Sequence, residues 1–169
     1  MAFEKLNAKS VMSRNVITIH LDTSLQEALE TLADERITGA PVVDESGKPV
    51  GVVSQTDIVH YEVNKAPAKT GRTAFYSMSE SEELPDVKDL EEQGELEEIL
   101  AGVPVSRVMT PKVLWVKPDS TLPEVAAVMA KERVHRVLVV EKGKIVGLVS
   151  SLDILKALGK AVQAPVKVK

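Results

Sequence analysis

The chain repeats itself. Residues 11–44 align with residues 108–141 at an offset of 97, and after a one-residue deletion residues 47–58 align with 143–154 at an offset of 96, giving 19 identities in 46 positions. A unit of about 50 residues buries its apolar faces poorly alone. Two copies in one chain of 169 residues therefore predict two similar halves related by a pseudo-two-fold axis. A pair of that kind leaves a cleft between its members, and clefts between units are favoured ligand sites.

Each copy carries the same signals in the same order. It opens with Val11-Met12-Ser13 or Val108-Met109-Thr110, followed by a β-prone run at Val16-Ile17-Thr18-Ile19 or Val113-Leu114-Trp115-Val116. Ser24 with Glu27, and Thr121 with Glu124, have the spacing of a capping box. Behind each cap runs an apolar stripe at helical spacing: Leu25, Ala28, Leu29 and Leu32, then Leu122, Val125, Ala126 and Met129. Two further β-prone runs follow, joined by turns at Asp44-Glu45-Ser46-Gly47 and Glu141-Lys142-Gly143, and a last helix begins near Ser54 or Ser150. The fold class expected is α+β, built from two β-α-β-β-α repeats at 8–63 and 104–160, with an insert at 64–103 and a tail at 161–169. Met12 and Met109 read as core, and Trp115 reads more readily as packing than as a stacking platform.

The insert is acidic. Residues 80–98 hold ten Asp/Glu and one Lys, a charge of −9 that leaves +5 on the rest of a chain with net −4. Such a run reads as a solvated linker with a short helix over 86–100. Leu90, Leu96, Ile99 and Leu100 are its candidate anchors; a docking arm or lid is the functional alternative. Net acidity argues against nucleic acid as the main partner. No apolar stretch is long enough to span a membrane, and the N-terminus lacks a signal-peptide core. Cysteine is absent, which excludes disulfides and thiolate chemistry. A cytoplasmic setting fits these features. His20 and His60 lack ligand spacing, so no metal site is expected.

The chemistry-bearing motif is Gly51-Val52-Val53-Ser54-Gln55-Thr56-Asp57-Ile58, repeated as Gly147-Leu148-Val149-Ser150-Ser151-Leu152-Asp153-Ile154. Two readings fit it. In one, the serine caps the helix and the aspartate sits favourably in its first turn. In the other, the helix N-terminus offers N–H groups to a phosphate, the serine adds a hydrogen bond, and the aspartate accepts from ribose hydroxyls. The glycine then lets the ligand come close.

Taken in order, these motifs resemble a tandem pair of CBS domains, the family named after cystathionine β-synthase. The Val-Met-Ser/Thr opening, Ala40-Pro41-Val42-Val43-Asp44 and the Gly-to-Ile ending carry the likeness together. The resemblance implies a regulatory module, not an enzyme, that takes an adenosine derivative: AMP, ADP, ATP, S-adenosylmethionine or NAD, with Mg²⁺ accompanying a triphosphate. Asp57 and Asp153 then hold ribose hydroxyls, and Ser54 and Ser150 lie near phosphate or ribose. Adenine is framed by Val16, Ile17, Thr38, Gly39 and Ala40, and by Val113, Leu114, Val134 and Val137. His135 and Arg136 resemble a phosphate-holding pair, whereas repeat one has the uncharged Thr38 and Gly39, so two unequal sites are expected. The second repeat departs from the family at Leu138, where proline is usual. The resemblance also implies a homodimer acting on a regulated partner protein; the readings weighed beside it are an enzyme, for which no catalytic constellation is present, and an interaction scaffold without nucleotide.

Overall fold

The computed structural model describes residues 5–64 and 100–162. The acidic run at 80–98 lies outside them, as do three of its proposed anchors. In chain order the elements are α1 (Ala8–Val11), β1 (Ile19–His20), α2 (Leu25–Asp34), β2 (Gly39–Val43), β3 (Pro49–Ser54), α3 (Gln55–Asn64), a 3-10 turn (Val105–Arg107), β4 (Trp115–Val116), α4 (Leu122–Glu132), β5 (Arg136–Glu141), β6 (Lys144–Ser150) and α5 (Ser151–Val162). This is a mixed α+β architecture with two similar strand–helix repeats.

The repeated signals fold as local chemistry dictates. Ser24 Oγ accepts from Glu27 N–H at 3.2 Å while Glu27 Oε2 accepts from Ser24 N–H at 3.4 Å. Thr121 and Glu124 form the same box, satisfying donors that each helix start would otherwise strand. Leu25, Ala28 and Leu32 are buried on α2, and Leu122, Val125 and Met129 on α4. Both helices end at an arginine in the left-handed region, Arg36 and Arg133. The next residue, Ile37 or Val134, donates back to Leu32 or Met129.

Each repeat builds a three-stranded sheet. β1 lies parallel to β2, which pairs antiparallel with β3; β4, β5 and β6 repeat the order. The one-residue deletion is absorbed in the hairpin. In repeat two, Glu141 pairs with Lys144 across Lys142 and Gly143, both at positive φ, the two-residue turn that suits strand twist. In repeat one the connection is longer. Asp44 Oδ1 organises it, accepting from Ser46 N–H, Ser46 Oγ and Lys48 N–H at 2.9, 2.6 and 3.0 Å.

The chain forms two compact units, one from residues 17–113 and the other from residues up to 16 together with those from 114 onward. The opening segment of each repeat therefore belongs to the unit built by the other repeat. In the unit containing repeat two, Ala8 N–H donates to Ser120 O at 2.8 Å, and Ser13 and Leu148 exchange two backbone bonds of 2.9 Å. In the unit containing repeat one, Val105 N–H donates to Thr23 O at 2.8 Å, and Thr110 and Val52 exchange bonds of 2.8 and 2.9 Å. Ala8 accordingly joins the core of Val116, Val125, Val137, Val139 and Val149. Leu100, Val105 and Val108 join the core of Leu25, Leu32, Val42, Val53 and Ile58. Leu100 is the one anchor of the acidic run within the described residues, and it is buried.

Candidate functional site

The two Gly-to-Ile motifs form equivalent corners, where β3 runs into α3 and β6 runs into α5. At the first, Ser54 N–H and Oγ–H both donate to Asp57 Oδ2, at 2.8 and 2.7 Å, and Asp57 N–H donates back to Ser54 Oγ at 3.2 Å. At the second, the same three bonds link Ser150 and Asp153 at 2.9, 2.6 and 3.3 Å. These are reciprocal caps. A second bond tightens each corner: Gln55 N–H donates to Thr38 O at 3.0 Å, and Ser151 N–H to His135 O at 2.9 Å. Two of the first three helix N–H groups are thus taken by the protein. This leaves less of each helix terminus open to an anion than the ligand reading expects, and forms the capping reading at both corners.

The glycines correct a second expectation. A Cβ on Gly51 meets Met109 Sδ at 2.7 Å and Thr110 O at 2.9 Å, and one on Gly147 meets Met12 Sδ and Ser13 O. Their missing side chains admit the methionine of the opening segment, not a ligand. Met12 and Met109 are partly buried and pack against the two cores.

The corners differ in exposure and in charge. Ser54 is fully buried and Asp57 is 2% exposed, whereas Ser150 and Asp153 are half-buried. The sheet register sets Gly39 opposite Ser54 but Arg136 opposite Ser150. Cross-strand partners project to one face, with Cβ atoms about 5 Å apart, so repeat two sets an arginine opposite its serine where repeat one sets a glycine. Arg136 is half-buried, and among the described residues no carboxylate lies within 4 Å of it.

The remaining candidates divide. Ala40 and Val137 are buried strand residues in the cores. Gly39 is buried, and Ile17 and Leu114 are half-buried just before β1 and within reach of β5. Val16 and Val113 are the last residues before each crossing from one unit to the other. Val134 and His135 line a groove of about 410 Å³ between α4 and α5, with Met129, Arg133, Ile154 and Leu155, and Arg136 does not. The structure therefore parts His135 from Arg136. Trp115 is 50% exposed, against the expectation of packing. Leu152, Leu155 and Leu158 of α5 are also exposed; helical spacing alone did not single them out. Among the described residues, no cluster of His, Asp and Glu is placed to hold a metal, and no helix is long and apolar enough to cross a membrane.

The CBS domain family model matches residues 8–64 and 105–160. The chain belongs to the CBS domain family. It is 30% identical over 153 residues to an uncharacterised protein of Methanocaldococcus jannaschii, covering 89% of each chain. Several other relatives are longer proteins, of which it spans 59% or less. The CBS domain of a CBS domain-containing membrane protein from Sphaerobacter thermophilus matches with a TM-score of 0.69 at 28% identity, over 92% of this chain and 90% of that one. CBSX2 from Arabidopsis thaliana, solved in complex with AMP, matches with a TM-score of 0.64 at 23% identity, over 93% and 98%. At that identity the likeness is one of fold. The two CBS repeats of this chain carry the corners described above.

Proposed function

We propose that this CBS pair is a non-catalytic regulatory module that binds a phosphorylated adenosine derivative at the Ser150–Asp153 corner. The observation that carries the reading is Arg136, half-buried opposite Ser150 with no described carboxylate to neutralise it. A guanidinium in that state offers a forked donor set to a phosphate. Asp153 complements it. Ser150 occupies Oδ2 alone, and Oδ1 has no partner among the described residues, so it accepts a ribose hydroxyl at no cost to the cap. The first corner has the same cap but a glycine in place of the arginine, and its serine and aspartate are buried. Ligand binding regulates a partner only through states of different affinity. The AMP bound by CBSX2 supports this ligand class.

The test is thermal unfolding with AMP, ADP, ATP, S-adenosylmethionine and NADH. A ligand at about 100 times its dissociation constant adds about 2.7 kcal/mol, a rise of roughly 5–10 °C for a chain of this size. The expected result is a rise with a phosphorylated ligand that Asp153→Ala and Arg136→Ala abolish and Asp57→Ala leaves in place. No rise with any ligand, from nucleotide-free protein, refutes the reading. The exposed leucines of α5 favour a second role, self-association as a homodimer or docking of the regulated partner. A monomer by sedimentation that captures no partner argues against that role.

A further inference from the structure

α5 turns leucines outward. Leu152, Leu155 and Leu158 are 55%, 60% and 42% exposed. Leu152, Leu155 and Gly159 recur at i, i+3 and i+7, the spacing of one helix face. Ile154 and Ala157, on the opposite side, turn toward the chain itself. Glycine weakens a helix interior, yet Gly159 sits inside this stripe. A Cβ built on it meets nothing within 4 Å, so no contact among the described residues calls for a glycine there. What it leaves is room for another backbone to come close. Beside the stripe lies the groove between α4 and α5, which shares Leu155. Ala126 lines that groove where repeat one has Leu29, a side chain packed against its own core. α3 likewise carries Thr56 and Val59, both half-buried, where α5 carries Leu152 and Leu155. The outward apolar face belongs to repeat two.

The surround is cationic. Lys131, Arg133, Lys156 and Lys160 are exposed, and among the described residues no carboxylate lies within 4 Å of any of them. Of the carboxylates on α4 and α5, Glu124 and Asp153 are committed to caps and Glu132 is half-buried. An apolar groove rimmed by one sign of charge is the counterpart of an amphipathic helix carrying the other. We propose that the α4–α5 face docks an acidic amphipathic helix of a partner protein. Its apolar side chains fill the groove, its backbone passes close over Gly159, and its Asp/Glu flanks meet Arg133, Lys156 and Lys160. This deepens the docking role given to α5 above and does not depend on the nucleotide. A second copy of the chain brings the same cations to the face, where like charges oppose each other; an acidic helix brings the charge that the face lacks.

Fluorescence anisotropy of the full chain with two labelled helical peptides tests the proposal. Both carry leucine at heptad positions a, d and e; one has glutamate elsewhere and the other lysine. The glutamate peptide should bind at least about tenfold more tightly than the lysine peptide, the equivalent of 1.4 kcal/mol, and added salt should weaken it. Leu155→Glu should weaken it about tenfold or more, as should Lys156→Glu combined with Lys160→Glu. These positions are exposed, so the variants fold. Gly159→Leu separates docking from stability: it should melt no lower than the parent and still lose about tenfold in binding. Equal binding of the two peptides overturns the proposal, as does binding that Gly159→Leu and Leu155→Glu leave unchanged. A dimer by sedimentation that Leu155→Glu disperses, with neither peptide bound, overturns it in favour of a second copy and keeps the face as an interface. Binding to phosphatidylserine vesicles without either peptide overturns it in favour of a lipid surface. A monomer that binds neither peptide nor vesicle refutes the docking role itself.

Discussion

Replacing Gly51 by alanine tests how the opening segments are held. The added methyl lands 2.7 Å from Met109 Sδ and 2.9 Å from Thr110 O, both well inside van der Waals contact. The sulfur can swing away. The carbonyl cannot, because Thr110 and Val52 hold each other through two backbone hydrogen bonds. Overpacking of this kind costs about 1–3 kcal/mol, and the immovable backbone atom places this site in the upper half of that range. Alanine restricts the unfolded chain more than glycine, which returns about 0.5 kcal/mol. The net loss is about 2 kcal/mol, or roughly 4–8 °C in melting temperature, measured by calorimetry at neutral pH. The double variant Gly51→Ala with Met109→Ala dissects it. Removing the thioether relieves one contact and leaves the carbonyl in place, so the double variant should still melt below Met109→Ala alone. If Gly51→Ala melts at or above the parent temperature, the argument is wrong, and the glycine is kept for some reason other than the segment seated on it.

Other outcomes follow from single residues. Arg133→Gly removes a side chain from the left-handed region, where a Cβ costs about 1 kcal/mol; denaturant titration should show a gain of that order, and a loss shows that the Arg133 side chain itself holds the helix end. Leu25→Ala empties a fully buried site on α2 and should cost about 2–5 kcal/mol by the same titration. Thr121→Ala removes a cap and should cost about 1 kcal/mol. Hydrogen bonds from the Ser46 side chain and from Lys48 N–H hold the Asp44 carboxyl below its usual pKa. A depressed folded pKa gives stability that is present above the unfolded value and lost as pH falls through the folded one. Asp44→Asn should therefore flatten the acid limb of the stability–pH curve and leave the region above neutrality unchanged in slope.

The elements most legible in the sequence were those specified by neighbours. Ser24 with Glu27 and Thr121 with Glu124 sit three residues apart, and the structure forms both boxes. The hydrophobic stripes of α2 and α4 fell on the core for the same reason. Placement of the openings was not legible, because Val11-Met12 and Val108-Met109 carry nearly the same signal and nothing local says which repeat each will join. The two Ser-to-Asp motifs also read alike, yet one is buried and the other half-buried, since exposure is set by surroundings the motif does not encode. Arg136 stood out against Gly39 from the alignment alone. That it faces Ser150 required the strand register. Leu138 stood out as a missing proline; that its N–H takes Leu114 O required the parallel pairing. Trp115 misled because a lone tryptophan is usually packing, and here half of it meets solvent.

The exchange of opening segments has a consequence for how the protein is born. Ser13 leaves the ribosome about 135 residues ahead of its partner Leu148. At about 5–20 residues per second that is a wait of roughly 7–27 s. Throughout it, α1 and the Met12 thioether have no Gly147 to receive them. The segment from Val105 to Thr110, by contrast, emerges after Gly51 and Val52 and can dock at once. The unit formed by residues 17–113 is therefore able to mature on the nascent chain, while the other is closed only when β6 arrives and takes up an opening segment made about 135 residues before it.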